Sequence, residues 1–277
     1  MNQALINFEE YSTIGLIFNG VGCLFWVVAY AVLVREIRVK KFVEMPAYVA
    51  GANIGWEFVW SFIYHPNTGL LYSLSYQAAF LLDCFIFYSI FRYGTKQPMN
   101  DESRKHFKLF CIINFCFWIA FSYFFMAESY DTAIGANSGY IINVILSMQC
   151  VFMLMQTQDT SRFSMLLAWS RMLGTGLISV SMFIFYPESR FIQLLGVSCL
   201  VLDLSFIYIL WKRLWKVEVD DIGLRHLFNY HINSQFTHPL DQHCKDQTMI
   251  QPFHYLGDTT KFFTYFIYVC LIRLRNI

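Results

Sequence analysis

Charged residues are scarce in this chain. Of its 277 residues, 14% are charged and 57% are hydrophobic, and the formal net charge is +1. Soluble domains usually carry about a quarter of their residues as charged side chains, so an ordinary soluble protein is excluded. The balanced charge gives no indication of a nucleic-acid partner.

Patterned cysteines are also missing. Most of the eight cysteines lie inside apolar runs, and none forms a CxxC pair, so we expect no disulfide framework. The late residues His238, His243, Cys244 and His254 do not have the spacing of zinc ligands, and we expect neither a metal nor a cofactor. No lysine or arginine precedes the first apolar run, which favours a retained helix over a secretory signal.

Long apolar runs dominate what is present. Seven of them are about long enough to cross the roughly 30 Å of bilayer hydrocarbon as helices. They cover Thr13–Val34, Ala47–Tyr64, Leu70–Phe91, Phe107–Met126, Tyr140–Leu154, Met165–Phe185 and Phe191–Trp211. The pattern predicts an all-α integral membrane bundle of seven transmembrane helices within residues 1–216.

Lysine and arginine alternate between the connecting segments as seven spans require. The cation-rich segments hold Arg35, Arg38, Lys40 and Lys41, then Arg92, Lys96, Arg104 and Lys105, then Arg162, and finally Lys212, Arg213 and Lys216. The segments between them carry only Arg190. The positive-inside rule then predicts an N-terminus outside and a C-terminus in the cytoplasm.

Residues 217–277 are predicted to form a polar C-terminal tail. Its part from Glu218 to Lys261 is rich in histidine, whereas Phe262–Leu274 is apolar and aromatic but short for a span. We predict that this short segment lies at the membrane interface, with a frayed tail as the alternative.

Four ionisable side chains lie well inside the runs: Glu57, Asp83, Arg171 and Asp203. Such residues are costly in a membrane and are functional-site candidates. Helix rise places the three acids in one slab near the midplane, with Arg171 nearer the cytoplasmic side. A buried acid without a cation is a potential proton donor, and an acid held ionised by Arg171 could stabilise a cation or take the proton back. The alternative is a polar cluster that joins helices, in which Asp83 pairs with Arg171.

Aromatic side chains make up 19% of the chain and could line a pocket near the acids. Their ring faces could stabilise a carbocation, although aromatic residues are also common at membrane interfaces. The candidates are Trp56, Trp60, Tyr64, Trp118, Tyr123, Tyr208 and Trp211.

Around Glu57 the sequence resembles a known family. Met45-Pro46, followed by Asn53-Ile54-Gly55-Trp56-Glu57-Phe58-Val59, is similar to the signature of the membrane-bound terpene cyclases of fungal meroterpenoid and indole-diterpene pathways (pyripyropene and paxilline type), which also have bacterial relatives. Leu82-Asp83, Arg171-Met172-Leu173-Gly174-Thr175 and Leu202-Asp203-Leu204 resemble later helices of that family. The resemblance covers roughly residues 14–215. Arg171 stands where the family has Lys, and Gln158 where it has Arg.

The resemblance implies an enzyme that cyclises a prenyl chain without loss of diphosphate. An acid protonates an epoxide or an alkene at the chain end, the alkenes close in sequence, and a proton leaves. By resemblance Glu57 is the catalytic acid and Asp203 the second essential acid. The residues expected to bind substrate or support the acids are Asn53, Trp56, Trp60, Tyr64, Asp83, Trp118, Arg171 and Tyr208. The expected partners are the lipid bilayer and a lipophilic prenylated substrate, epoxidised or not, in the cytoplasmic membrane of a bacterium or the endoplasmic reticulum of a fungus.

Other classes of protein fit less well. A proton-coupled transporter with midplane carboxyl groups is the alternative function. A retinal-type sensor needs a lysine in the last span, and Phe191–Trp211 has none. A metal-dependent prenyltransferase or soluble terpene cyclase needs Asp-rich motifs, but DDxxD and DxDD are absent and Asp220-Asp221 is the only adjacent pair. The residues name neither the substrate nor the oligomeric state.

Overall fold

The computed structural model describes residues 4–221, with side chains up to Trp215. The tail that was predicted from residue 217, with its apolar segment Phe262–Leu274, lies almost entirely outside the described residues. The chain divides into a unit up to Trp215 and another from Lys216 onward, and the packing described below belongs to the first.

Residues 4–221 are helical, without a strand. The α-helices are α1 (Thr13–Lys40), α2 (Ala47–Phe62), α3 (Leu70–Tyr93), α4 (Asp101–Lys105), α5 (Phe107–Ala127), α6 (Ala136–Gln156), α7 (Met165–Phe185) and α8 (Arg190–Asp221). Short 3₁₀ turns cover Gly94–Lys96 and Thr160–Arg162. The expected all-α class is therefore confirmed for this part of the chain.

Six helices are long and apolar enough to cross a membrane: α1, α3, α5, α6, α7 and α8. The second apolar run forms α2, whose 16 residues extend over about 24 Å. The helix α4 is short and polar, and belongs to no apolar run. The seven runs therefore correspond to seven helices, of which six have membrane length.

Several helix ends differ from the predicted bounds, and the end of α1 is one of them. The first helix continues past Val34 to Lys40 and ends at Lys41, which has a left-handed backbone (φ 52°) and donates its N–H to Ile37 O at 3.0 Å. The charged residues after Val34 are therefore still helical, and α1 continues beyond its apolar part.

The start of α6 is capped by an acid from the preceding loop. The Asp131 carboxylate accepts N–H bonds from Thr132 at 2.8 Å and Asn137 at 2.9 Å, and the Ser138 hydroxyl also donates to it. A carboxylate satisfies the free N–H groups of a helix N-terminus. This cap explains why α6 begins at Ala136, in a polar stretch, instead of at Tyr140.

Glycines allow two pairs of helices to approach closely. The helix α1 packs along α7, where a Cβ on Gly22 would lie 2.9 Å from Gly174 O. The helix α2 packs against α3, α5 and α6. On its α5 side a Cβ on Gly55 would lie 2.9 Å from Trp118 Cβ. Small residues at such contacts are typical of helices packed in membranes.

Polar contacts join α8 to its neighbours. Arg213 donates to the carbonyl oxygens of Leu154 at 2.6 Å and Thr157 at 2.9 Å, at the end of α6. Arg171 of α7 forms an ion pair with Asp203 of α8. These contacts fix the positions of the buried polar side chains relative to one another.

Candidate active site

Two carboxyl groups form a first polar centre between α2 and α3. Glu57 and Asp83 interact electrostatically, and Asp83 is 1% exposed. No hydrogen bond from the described residues reaches Glu57 Oε2 or either carboxyl oxygen of Asp83. By helix rise, both residues lie about 15 Å from the cation-rich ends of their helices. This arrangement agrees with the similar depth that helix rise predicted for Glu57 and Asp83.

Phenol groups surround this pair. The Tyr30 hydroxyl, from α1, interacts with Asp83, Glu57 and Asn53, which lies one turn before Glu57 on α2. Tyr76 of α3 also faces Glu57, and its hydroxyl donates to Ile134 O at 3.3 Å. Across the described part of the chain, no cation acts on either carboxyl group. We call Glu57, Asp83, Tyr30 and Asn53 the acid pair centre.

A second polar centre joins α6, α7 and α8. Arg171 Nη2 donates to Asp203 Oδ1 at 2.9 Å, and Arg171 Nη1 donates to Cys150 Sγ at 2.8 Å. The guanidinium carbon also lies 5.1 Å from the centroid of the Phe206 ring. Arg171 and Asp203 are 7% and 1% exposed. The ion pair therefore joins α7 to α8 in the interior of the bundle.

The alternative in which Asp83 pairs with Arg171 differs from the structure, where Arg171 pairs with Asp203. Arg171 lies on α7, and α8 is the next helix in sequence and a neighbour in space, so the Arg171 guanidinium pairs with Asp203 of α8. Asp83 instead faces Glu57 and Tyr30. The three acids therefore do not form one cluster: two share a centre without a cation, and the third has its own cation.

A small cavity of about 20 Å³ borders both centres. Tyr30 of the acid pair centre and Arg171 of the ion pair both line it, together with Trp26, Cys150 and Glu44. Apolar side chains complete its wall. Its volume is enough for about one water molecule.

Glu44 is a buried acid that the sequence reasoning missed. It lies in the loop between α1 and α2 and is 5% exposed, and its Oε2 accepts the Ser164 N–H at 2.9 Å. Burial raises the pKa of Glu44 to about 8, although Lys40, the Ser164 N–H and Arg171 oppose that rise. In the sequence it follows Lys40 and Lys41 and resembles an ordinary solvated loop acid. The neighbouring Met45-Pro46 segment, which resembles the family signature, was the only sequence feature that pointed to this loop.

Three of the expected aromatic residues lie on α2, the helix that carries Glu57, or pack against it. Trp56 lies 6.0 Å from Trp60 and 5.4 Å from Tyr76 between ring centroids, and its Nε1 donates to Ser138 Oγ at 2.7 Å. Trp60 is fully buried. Trp118 is buried on α5, where its Cβ faces Gly55 at the contact of α5 with α2.

Tyr64 and Tyr208 are not brought to the acids. Tyr64 lies beyond the end of α2 and stacks on Tyr123, with 5.7 Å between ring centroids. Tyr208 is 53% exposed. Five residues correspond to about 140° around a helix, so Tyr208 lies on a different face of α8 from the buried Asp203.

Within residues 4–221, six helices of membrane length with ionisable side chains in their interior are typical of a polytopic membrane protein. The chain belongs to the Pyr4-like transmembrane terpene cyclases, whose family model matches residues 2–213. This match confirms the predicted family and an integral membrane protein.

A curated relative agrees with this family. The chain is 25% identical over 167 residues to terpene cyclase macJ of Penicillium terrestre, a match that covers 57% of this chain and 62% of the relative. It therefore spans less than two thirds of the relative's length. No solved structure matches the chain.

Proposed function

We propose that this protein is a terpene cyclase that begins cyclisation by protonating the end of a prenyl chain. The observation that carries the proposal is the acid pair centre: the half-buried Glu57, whose Oε2 is buried, and the buried Asp83 interact without a cation among the described residues. Two such groups cannot both be ionised easily in a low-dielectric site, so the pair retains a proton to donate. Membership of a terpene cyclase family supports the same activity.

The proposed reaction is an isomerisation without loss of diphosphate. Glu57 transfers its proton to an epoxide oxygen or to an alkene carbon at the chain end. The resulting cation is attacked by the next alkene, further rings close, and the last cation loses a proton from carbon. One proton enters and one leaves, so the product has the mass of the substrate. Asp83 takes the role of orienting Glu57 and sharing its proton.

Asp203 has a different role from Glu57 in this proposal. Its carboxylate is paired with Arg171 at 2.9 Å, which makes it a poor proton donor. A fixed anion stabilises positive charge that develops on a substrate nearby, and here Arg171 lies between Asp203 and the cavity that it lines. The ring of Tyr76, which interacts with Glu57, and that of Trp56, 5.4 Å from it, add cation–π attraction.

The proposed topology has seven spans, with the N-terminus outside and the C-terminus in the cytoplasm. The helix α2 is short, but it packs against α3, α5 and α6 and carries Glu57, so it lies inside the bundle. Protein neighbours on several sides allow a helix shorter than the bilayer to cross it. The membrane is the cytoplasmic membrane in a bacterial source and the endoplasmic reticulum in a fungal one.

The direct test supplies purified protein with prenylated phenols, both as terminal epoxides and as plain alkenes. We expect a new cyclic product of unchanged mass, formed equally well with EDTA present. Glu57→Gln removes the proton donor and lowers the rate by about 10²- to 10⁴-fold. Glu36→Gln is the matched control, because Glu36 is also a buried acid but pairs with Lys40 at 2.6 Å. Proton flux in proteoliposomes without any isomer would instead establish the transporter.

A further inference from the structure

A side chain from the segment after α3 binds the loop that precedes α2. Gln97 Nε2 donates to the carbonyl oxygens of Val43 at 3.0 Å and Met45 at 2.7 Å, and Gln97 Oε1 accepts the Ala47 N–H at 3.1 Å. Gln97 is 6% exposed, so these bonds are shielded from water. Both polar atoms of the Gln97 amide are therefore committed to residues 43–47.

The helix α2 has no side-chain cap of its own at its start. Its N-cap residue is Pro46, which makes no capping hydrogen bond. Ala47 is the first residue of α2, and its N–H is one of those that a helix leaves without an internal partner. Gln97 Oε1 accepts that N–H, so Gln97 caps α2 from a distant part of the chain.

The surface of α2 that faces α5 carries small residues. Gly51 and Gly55 lie there, and neither has room for a Cβ beside α5. Small residues let two helices approach closely, but they offer no large side chain to interlock along the axis. A slip of one residue moves a helix by about 1.5 Å and turns it by about 100°, which would carry Glu57 away from its partner acid. Polar contacts at the ends of α2 are therefore needed to fix its height in the bundle.

Gln97 is itself fixed to the end of α3. The 3₁₀ turn Gly94–Lys96 follows α3 directly, and the Gln97 N–H donates to Gly94 O at 2.9 Å. In the same turn Lys96 Nζ donates to Lys41 O at 2.9 Å, which also holds the end of α1. The helix α3 carries one acid of the pair and α2 carries the other. Gln97 therefore joins the cation-rich ends of these two helices, and residues 63–69 join their opposite ends.

We propose that Gln97 is a positioning residue for the acid pair: it fixes the height of α2 beside α3, so that Glu57 meets Asp83. By helix rise Glu57 lies about 15 Å from Ala47, so Gln97 acts through α2 and does not touch the acids. A displacement of about 1 Å between reacting groups can lower a rate by about 10²-fold. This inference rests on the proposed function.

The first test replaces the amide with an apolar side chain of similar length. Gln97→Met removes three hydrogen bonds, and we expect kcat on a prenylated phenol epoxide to fall by about 10²-fold. The value of kcat/KM should fall equally, because the substrate does not contact Gln97. Gln193→Met is the matched control. Gln193 Nε2 donates to Pro187 O at 2.7 Å in the loop before α8, and this variant should keep the native rate.

The second test needs no turnover. Infrared spectroscopy of full-length protein records the carbonyl-stretch band of protonated Glu57, which is assigned by its loss in Glu57→Gln. In otherwise native protein Asp83→Asn should shift this band, because the two acids interact. In the Gln97→Met background the shift caused by Asp83→Asn should be lost. A merely structural role of Gln97 would lower stability and leave that shift intact.

A second variant breaks the same contact from the side of α2. Ala47→Pro removes the N–H that Gln97 accepts, and it should fold because proline is favoured at the first helical position. The preceding Pro46 has ψ 139°, which a residue before proline adopts readily. Loss of one hydrogen bond should lower kcat by about tenfold and reduce the infrared shift.

The inference is overturned if either folded variant keeps the native kcat. It is also overturned if the Asp83→Asn shift is absent from otherwise native protein, or persists in full in the variants. A protein that shows the shift, and loses it in Gln97→Met, but yields no isomer supports the positioning role and contradicts the cyclase. A protein that yields isomers at the same rate with and without Gln97 does the reverse.

Discussion

The buried ion pair between Arg171 and Asp203 allows a quantitative prediction of stability. The two side chains meet at 2.9 Å and are 9% and 1% exposed. Removing one partner of a buried pair leaves an uncompensated charge, which typically costs about 3–5 kcal/mol. We therefore expect Arg171→Met to lower the free energy of unfolding by that amount.

The double variant Arg171→Met/Asp203→Leu should recover most of the loss. Replacing a buried pair with apolar side chains of similar volume is often neutral or stabilising. The Met side chain also keeps contact with Phe206, which the guanidinium now covers at 5.1 Å. We expect the double variant to be more stable than Arg171→Met alone by at least about 2 kcal/mol.

The assay is equilibrium unfolding of purified protein in detergent, followed by near-ultraviolet circular dichroism. Lys105→Met is the matched control, because Lys105 pairs with Glu102 at 3.2 Å and the two side chains are 69% and 72% exposed. A partly solvated pair should cost about 1 kcal/mol or less. Equal destabilisation by the single and double variants would refute a buried, charge-compensated pair.

Two further predictions concern packing and pH. Gly174→Ala places a Cβ 2.7 Å from Trp26 Cδ1 and should lower the free energy of unfolding by about 1–3 kcal/mol in the same assay. Gly176→Ala on the same helix is the control: its Cβ meets nothing within 4 Å, so the change should be neutral or slightly stabilising. The pKa of Glu44 is about 8 in the folded state, above its ordinary 4.5, so the unfolded state loses the Glu44 proton at a lower pH than the folded state does. The free energy of unfolding should therefore fall as the pH rises from 4.5 to 8, by up to about 5 kcal/mol. Glu44→Gln should flatten that slope; an unchanged slope would show that Glu44 is not the group responsible.

The helices of the bundle were predictable because length and hydropathy decide them. A run such as Met165–Phe185 appears with the same bounds in the structure, since Ser164 caps its start and Pro187 follows shortly after its end. The ends of other helices were less predictable. Asp131 caps α6 from several residues away, so the polar start of that run looked like a loop although it is helical.

The site was predictable in its residue types and less so in its pairings. Glu57, Asp83, Arg171 and Asp203 stand out because charge is rare in apolar runs. Which acid meets Arg171 depends on how the helices are arranged in space, and hydropathy does not carry that information. Tyr30 was missed for a related reason, because one phenol in an apolar aromatic run carries no sequence signal.

The exposure of Tyr208 shows a different limit. It follows Asp203 closely in sequence and was expected to share its pocket, but it lies on another face of α8. Helical periodicity alone separates the two side chains by about 140°, so this placement was available from the sequence. The spacing along the helix, and not the residue type, decided which aromatic side chains reach the acids.

The most direct test of the central claim is the cyclisation rate of Glu57→Gln, Asp83→Asn and the double variant on one prenylated phenol epoxide. If the two carboxyl groups share one catalytic proton, each single change should lower the rate by about 10²- to 10⁴-fold. The double variant should then be no slower than the worse single one, because residues that act as a unit are not additive. Near-native turnover by a folded Glu57→Gln protein would contradict the account, and independent, multiplying effects would show that the two acids do not act as a pair.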